Sequence, residues 1–139
     1  ARRAGVPMPL VWDIDPQEST IWFEHVGEAD LAADLAVEAV RAVGRQLATI
    51  HEAGFVHGDP TTRNVRIGNR TWLIDFGLGF HTGHVEDHAM DLHVFRQSID
   101  ATADDPAAVK RAVIAGYREV GSEAVVDRLA TIEDRGRYQ

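Results

Sequence analysis

The stretch His57-Gly58-Asp59-Pro60-Thr61-Thr62-Arg63-Asn64 sets an asparagine five residues after an aspartate, and eleven residues further on stands Asp75-Phe76-Gly77, preceded by apolar Leu73-Ile74. Between the two, residues 65–67 and 71–74 flank a Gly68-Asn69 turn, which predicts a hairpin. Upstream, Val37, Val40, Val43, Leu47 and Ile50 recur at three- and four-residue steps. That spacing predicts a helix over 36–53 with one buried stripe, ended by Gly54. Phe55-Val56 reads as a short strand feeding the polar loop at 57–64. Phosphoryl transfer needs metal ions on the nucleotide phosphates and a carboxylate at the attacking oxygen. An Asp/Asn pair on one loop, with a second Asp at the end of a hairpin, supplies both. Each piece alone is weak; their order and spacing together are specific.

Protein kinases use this spacing, with His-Arg-Asp and Asp-Phe-Gly as its usual form. Outward from the motifs, residues 9–14 and 20–25 are β-prone runs around a turn-rich 15–19, a natural hairpin. A lone hairpin is marginal in water, so this one, with Trp12, Trp22 and Phe23, is expected to belong to a larger sheet. Residues 28–35 read as a short helix after Gly27. A glycine- and histidine-rich loop follows Gly77 up to Val85. Helices are predicted over about 86–99, 106–120 and 123–134, the second with a capping aspartate in Asp104-Asp105 ahead of Pro106 and the third capped by Ser122. The fold class is α+β: a mainly helical lobe with a leading β-hairpin.

Composition sets outer limits. Hydrophobic residues make up 45% and charged residues 26% of the 139 residues, an ordinary globular balance. Cysteine is absent, so disulfides and thiolate metal sites are excluded. No apolar run approaches the roughly 20 residues of a membrane-spanning helix, and a cytoplasmic protein with no membrane partner is expected. The net charge of −8 argues against a broad nucleic-acid-binding surface. Lys110 is the only lysine, and an acidic, lysine-poor chain suits either a high-salt cytoplasm or a GC-rich genome that prefers arginine codons.

With these residues in view, the chain resembles the atypical serine/threonine kinase subunit of the KEOPS complex. The resemblance rests on His57–Asn64 with its Thr61-Thr62 pair, on Ile74-Asp75-Phe76-Gly77-Leu78, and on Glu86-Asp87-His88-Ala89-Met90-Asp91-Leu92. The ending Glu133-Asp134-Arg135-Gly136-Arg137 is similar to that family's basic tail. The resemblance implies a protein-kinase-like fold, with ATP and Mg²⁺ as cofactors. It implies Asp59 as the catalytic aspartate, Asn64 and Asp75 as the metal ligands, and Glu24-His25-Val26 as the hinge, where Glu24 and Val26 backbone groups meet adenine. Asp91 would brace the catalytic loop. The KEOPS complex makes N6-threonylcarbamoyladenosine in tRNA. The implied partners are its transferase and other subunits, and tRNA indirectly or through the basic tail. The family behaves in the complex largely as an ATPase.

Departures from the family's pattern are Pro60 for leucine, Arg63 for a small serine and His88 for lysine; none removes a metal ligand. A complete kinase also carries a Gly-rich loop, a lysine on the phosphates and a glutamate holding it. None of these precedes Glu24, which predicts a fragment: residues 1–26 a remnant of the N-terminal lobe and hinge, residues 27–139 the C-terminal lobe, and an isolated chain that is inactive. Only Leu78–Val85 separates Gly77 from Glu86, and Gly58 stands where many kinases carry an activation-loop arginine. Phosphorylation-gated peptide kinase activity is therefore not expected. His81, His84 and His88 with Asp91 have ligand-type spacing, but read first as polar loop and helix-end residues, and His57 as a packed loop histidine. Two other readings stay open: a non-catalytic scaffold of the same complex, and an aminoglycoside- or choline-type small-molecule kinase, against which Thr61-Thr62 and the short C-terminal region argue.

Overall fold

The computed structural model describes residues 5–7, 11–15, 17–18, 20–33 and 35–137. Pro9, Pro16 and Ser19 of the predicted hairpin, the Tyr138-Gln139 end of the tail, and the surroundings of Trp12, Trp22 and Phe23 lie outside what is described.

The leading hairpin forms as expected. β1 (Val11–Asp15) pairs antiparallel with β2 (Thr20–Phe23), Ile14 opposite Ile21. The α-helix expected over 28–35 does not form among the described residues of that segment. Instead β3 (Ala29–Asp30) adds to a three-stranded antiparallel sheet with β5 (Val65–Ile67) and β6 (Thr71–Leu73), and a 3-10 turn follows over Leu31–Ala33. The cause is tertiary. Gly27 packs on the Ile67 backbone at a φ of +71°, Glu28 N–H donates to the Ile67 carbonyl at 2.6 Å, and Arg66 holds Asp30 at 2.9 Å. Those bonds override the helix propensity of the alanine- and leucine-rich segment.

Helix α1 (Val37–Glu52) buries Val40, Val43, Gly44, Leu47, Ala48, Ile50 and His51, while Val37 at its start is exposed. Gly54 ends it with a φ of +80°. β4 (Phe55–Val56) then pairs with β7 (Phe80–His81), a strand hidden inside the predicted loop. Three helices complete the lobe: α2 (Val85–Asp100), α3 (Pro106–Arg118) and α4 (Glu123–Arg137). Asp105 caps α3 by accepting from Ala108 N–H at 3.3 Å, and Ser122 Oγ accepts from Ala124 N–H at 3.1 Å at the start of α4. α4 runs past its predicted end into the basic tail, where Glu133 pairs with Arg96 at 2.8 Å and Arg135 with Glu86 at 3.9 Å.

The main packing pairs are α1 on α3 and α2 on α4. Gly44 meets the Val113 backbone, and Gly116 meets the Arg41 backbone; a Cβ at either would overlap the facing helix. The core joins Val43 and Leu47 of α1, Leu92, Phe95 and Ile99 of α2, Val113 and Tyr117 of α3 and Leu129 of α4 to Leu31, Val65 and Leu73 beneath the sheet. Among the described residues no helix is long and apolar enough to cross a membrane.

Candidate active site

The β5–β6 hairpin brings the two motifs together. Asn64 immediately precedes β5 and Asp75 closely follows β6, and Val65 pairs with Leu73. Ile74 N–H donates to the Asn64 carbonyl at 2.9 Å, so the residue before Asp75 is bonded to Asn64 itself. The Asn64 side-chain amide donates to the Asp59 carbonyl at 2.9 Å and lies 3.4 Å from Asp59 Oδ2. With its Nδ2 held this way, Asn64 keeps its Oδ1 as an acceptor.

The loop at 57–64 is fastened from below. Asp91 on α2 is buried, and its carboxylate accepts from His57 N–H at 2.9 Å and Gly58 N–H at 3.0 Å. The same carboxylate accepts from His51 Nε2 at 2.8 Å, and His51 Nδ1 lies 2.8 Å from the Tyr117 hydroxyl. Burial holds the His51 ring below the usual imidazole range, against the pull of Asp91, and pushes the Tyr117 phenol up. The neutral ring therefore donates from Nε2 and accepts the Tyr117 proton on Nδ1. His57 is also assigned by its bonds. Asp59 N–H donates to His57 Nδ1 at 3.1 Å, which leaves the proton on Nε2 to donate to the Ile74 carbonyl at 2.7 Å. Both ring nitrogens are occupied, so His57 is a structural brace and not a base. Thr62 N–H adds a tether to Ser98 Oγ on α2 at 3.1 Å.

Sequence reasoning missed His51 and Tyr117, which lie 66 residues apart. One signal existed: His51 continues the buried stripe of α1, four residues after Leu47. A polar ring on an apolar stripe needs a buried partner.

Asp75 is exposed, and its carboxylate bonds to no described residue. It adopts a φ of +59°, a conformation uncommon outside glycine and mildly strained. Phe76 anchors the turn by packing its ring on His57 and Phe55, with centroids 4.4 Å and 6.1 Å away. A carboxylate and an amide oxygen are hard donors of the kind that suits Mg²⁺, and the β5–β6 hairpin carries one at each end, Asn64 before β5 and Asp75 after β6. Gly58 has a φ of +93°, and a Cβ there would overlap the Leu78 carbonyl, so the arginine common at this place has no room. Glu24 is half-buried and Val26 buried. Arg66, two residues beyond Asn64, donates to the Val26 carbonyl at 3.0 Å. That bond ties the expected hinge to β5 and leaves the Val26 carbonyl engaged. Among the described residues no three His, Cys, Asp or Glu side chains converge as a metal site. His88 instead donates to the Thr82 carbonyl at 2.9 Å and stacks on His51 with centroids 4.6 Å apart.

A helical lobe with an Asp/Asn loop and an Asp-Phe-Gly turn on one hairpin defines a protein-kinase-like fold. A solved structure of WaaP in complex with acyl carrier protein shares that fold, with a TM-score of 0.70 over 99% of this chain and 71% of that one at 19% identity. No family model matches the chain. The probable serine/threonine-protein kinase BUD32 homolog of Archaeoglobus fulgidus is 41% identical over 140 residues, covering 99% of this chain and 71% of that protein. The chain belongs to the BUD32 family of serine/threonine-protein kinase homologues. It is also 62% identical over 139 residues to a probable bifunctional tRNA threonylcarbamoyladenosine biosynthesis protein of Haloquadratum walsbyi, and 58% identical over 141 residues to that of Halobacterium salinarum. In both it spans only 26% of the relative's length.

Proposed function

We propose that this chain is the metal- and acceptor-binding lobe of an Mg·ATP-dependent phosphotransferase or ATPase acting in tRNA threonylcarbamoyladenosine biosynthesis. The observation that carries the reading is the Asn64 amide bonded to Asp59 while the Asn64 carbonyl accepts from Ile74, beside Asp75. Asn64 Oδ1 and the Asp75 carboxylate would hold Mg²⁺. The bound ion supplies charge neutralisation at the phosphates. Asp59, oriented by Asn64, accepts the proton of an attacking hydroxyl or aligns a water. Adenine would read backbone groups of the Glu24–Val26 segment, with the Val26 carbonyl left to Arg66. Residues 1–26 then act as the entry from the upper lobe, and 27–139 as the lower lobe.

The names of the bifunctional relatives support a role in tRNA threonylcarbamoyladenosine biosynthesis, and we read a transferase domain, other KEOPS subunits and tRNA as the partners. Arg135, exposed near the end of α4, offers the basic contact. In the full-length protein, Asp75→Ala is expected to cut Mg²⁺-dependent ATP hydrolysis by several orders of magnitude, because most of the rate in such enzymes is electrostatic. Near-normal turnover in that variant would remove the metal assignment.

A further inference from the structure

Three buried polar groups from three different helices converge on one point beneath the loop that carries Asp59. Tyr117 of α3 is fully buried, His51 of α1 is 2% exposed and Asp91 of α2 is 4% exposed. Their bonds form a line: Tyr117 hydroxyl to His51 Nδ1, His51 Nε2–H to Asp91 Oδ2, and Asp91 to the His57 and Gly58 amides. The His88 ring covers one face of His51 at an interplanar angle of 5°. A buried polar line of this kind is stable only when every member is satisfied.

We infer that His51 and Tyr117 are positioning residues for phosphoryl transfer: they fix the Asp91 carboxylate and through it the backbone that aims Asp59. The inference rests on the functional reading above. The geometry gives each member a separate task. Asp91 needs three donors to hold one orientation, and the loop supplies two of them. His51 supplies the third on Oδ2, the oxygen that also accepts from His57 N–H, so without it that oxygen loses one of its two donors and the carboxylate is less firmly held. Tyr117 selects the ring form, since its hydroxyl proton occupies Nδ1 and leaves the Nε2 proton for Asp91. Tyr117 sits beside Gly116 and Gly44, where α1 and α3 touch backbone to backbone. The line therefore reports the seating of that helix pair to the loop. Neither ring touches nucleotide-binding or metal-binding groups, so both act on the rate through position alone.

The test uses the full-length protein and two independent readouts. The first is Mg·ATP hydrolysis by Tyr117→Phe, His51→Ala and His51→Gln. Loss of one buried hydrogen bond predicts a kcat about tenfold lower for Tyr117→Phe, with KM for ATP unchanged. His51→Ala is expected to lose more, on the order of a hundredfold, and His51→Gln to recover part of that, because the glutamine amide offers a donor near Nε2. The second readout is hydrogen exchange at the His57 and Gly58 amides, well below the unfolding temperature, with the α4 amides as reference. Faster exchange at His57 and Gly58 alone supports the relay. Unchanged exchange at those amides in all three variants overturns it, as does a loss of activity that tracks folded fraction or appears in KM. Should the unmodified protein hydrolyse no ATP, the functional reading fails, and the exchange measurement alone decides the relay.

Discussion

The two chemical loops of this lobe are built in opposite ways. In the loop at 57–64, the His57, Gly58, Asp59, Thr61, Thr62 and Asn64 amides all have acceptors within the fold. In the stretch from Asp75 to His81, five residues are exposed: Asp75, Gly77, Leu78, Phe80 and His81. That stretch is held by the Phe76 ring, by β7 and by Gly79 N–H on the Phe76 carbonyl. The contrast follows the proposed division of labour. A group that aims at a reacting oxygen gains from being fixed before substrate arrives, since reorganisation then costs nothing at the moment of reaction. A metal ligand need not be fixed beforehand, because the cation orients it. The exposed carboxylate and strained backbone of Asp75 fit a ligand waiting for its ion.

The sharpest way to test that contrast is to change each carboxylate in turn. In the full-length protein, Asp59→Asn is expected to lower kcat for ATP hydrolysis by about 10²–10⁴ while leaving Mg·ATP affinity nearly unchanged. Titration calorimetry beside steady-state kinetics separates the two. A variant that chiefly weakened ATP binding would put Asp59 on the nucleotide and erase the distinction between the loops.

A smaller effect separates the loops by stability. Asp91→Ala strands two loop amides and His51 Nε2 in a buried site. Each unsatisfied group costs about 1–3 kcal/mol, so a total loss of about 3 kcal/mol or more is expected in denaturant unfolding. Asp75→Asn, exposed and tolerant of its positive φ, is expected to change stability by no more than about 0.5 kcal/mol. Comparable losses in the two variants would mean that the Asp75 turn is as rigid as the catalytic loop.

Legibility in the sequence followed the range of the forces involved. The stripe of α1, the Gly54 stop, the β5–β6 hairpin and the Asp105 cap are local patterns, and all formed where the sequence placed them. The segment at 28–35 was misread because its strand exists only against Arg66 and Ile67. β7 was missed because two residues in a glycine-rich loop carry no periodicity of their own. Asp59, Asn64 and Asp75 were put forward from their spacing, and Asp91 from resemblance. The bonds that seat Asp91 could not be read in either way, since they join α1, α2 and α3 only after the helices pack.

The smallest expected effect is a slope of stability with pH that belongs to the braced side alone. His51 has an ordinary value of 6.5 when the chain is unfolded. Burial lowers it in the folded state, and this desolvation outweighs the attraction of Asp91; His88 opposes protonation, while Glu52 favours it weakly. Between the lowered folded value and 6.5 the unfolded chain therefore binds more protons, so stability rises with pH in that window. Near neutrality both states hold the ring uncharged and the contribution is flat. As pH falls below about 6.5 the unfolded state gains a proton that the folded state resists, and stability is lost until the folded ring titrates as well. His51→Gln carries no titrating ring, so its unfolding free energy should fall less steeply than the parent's between pH 6.5 and the acid limit of folding. Urea unfolding at half-unit steps of pH measures both slopes. Parallel curves for the two proteins would mean that the His51 ring takes up its proton as readily folded as unfolded, and that burial against Asp91 and Tyr117 does not hold it neutral.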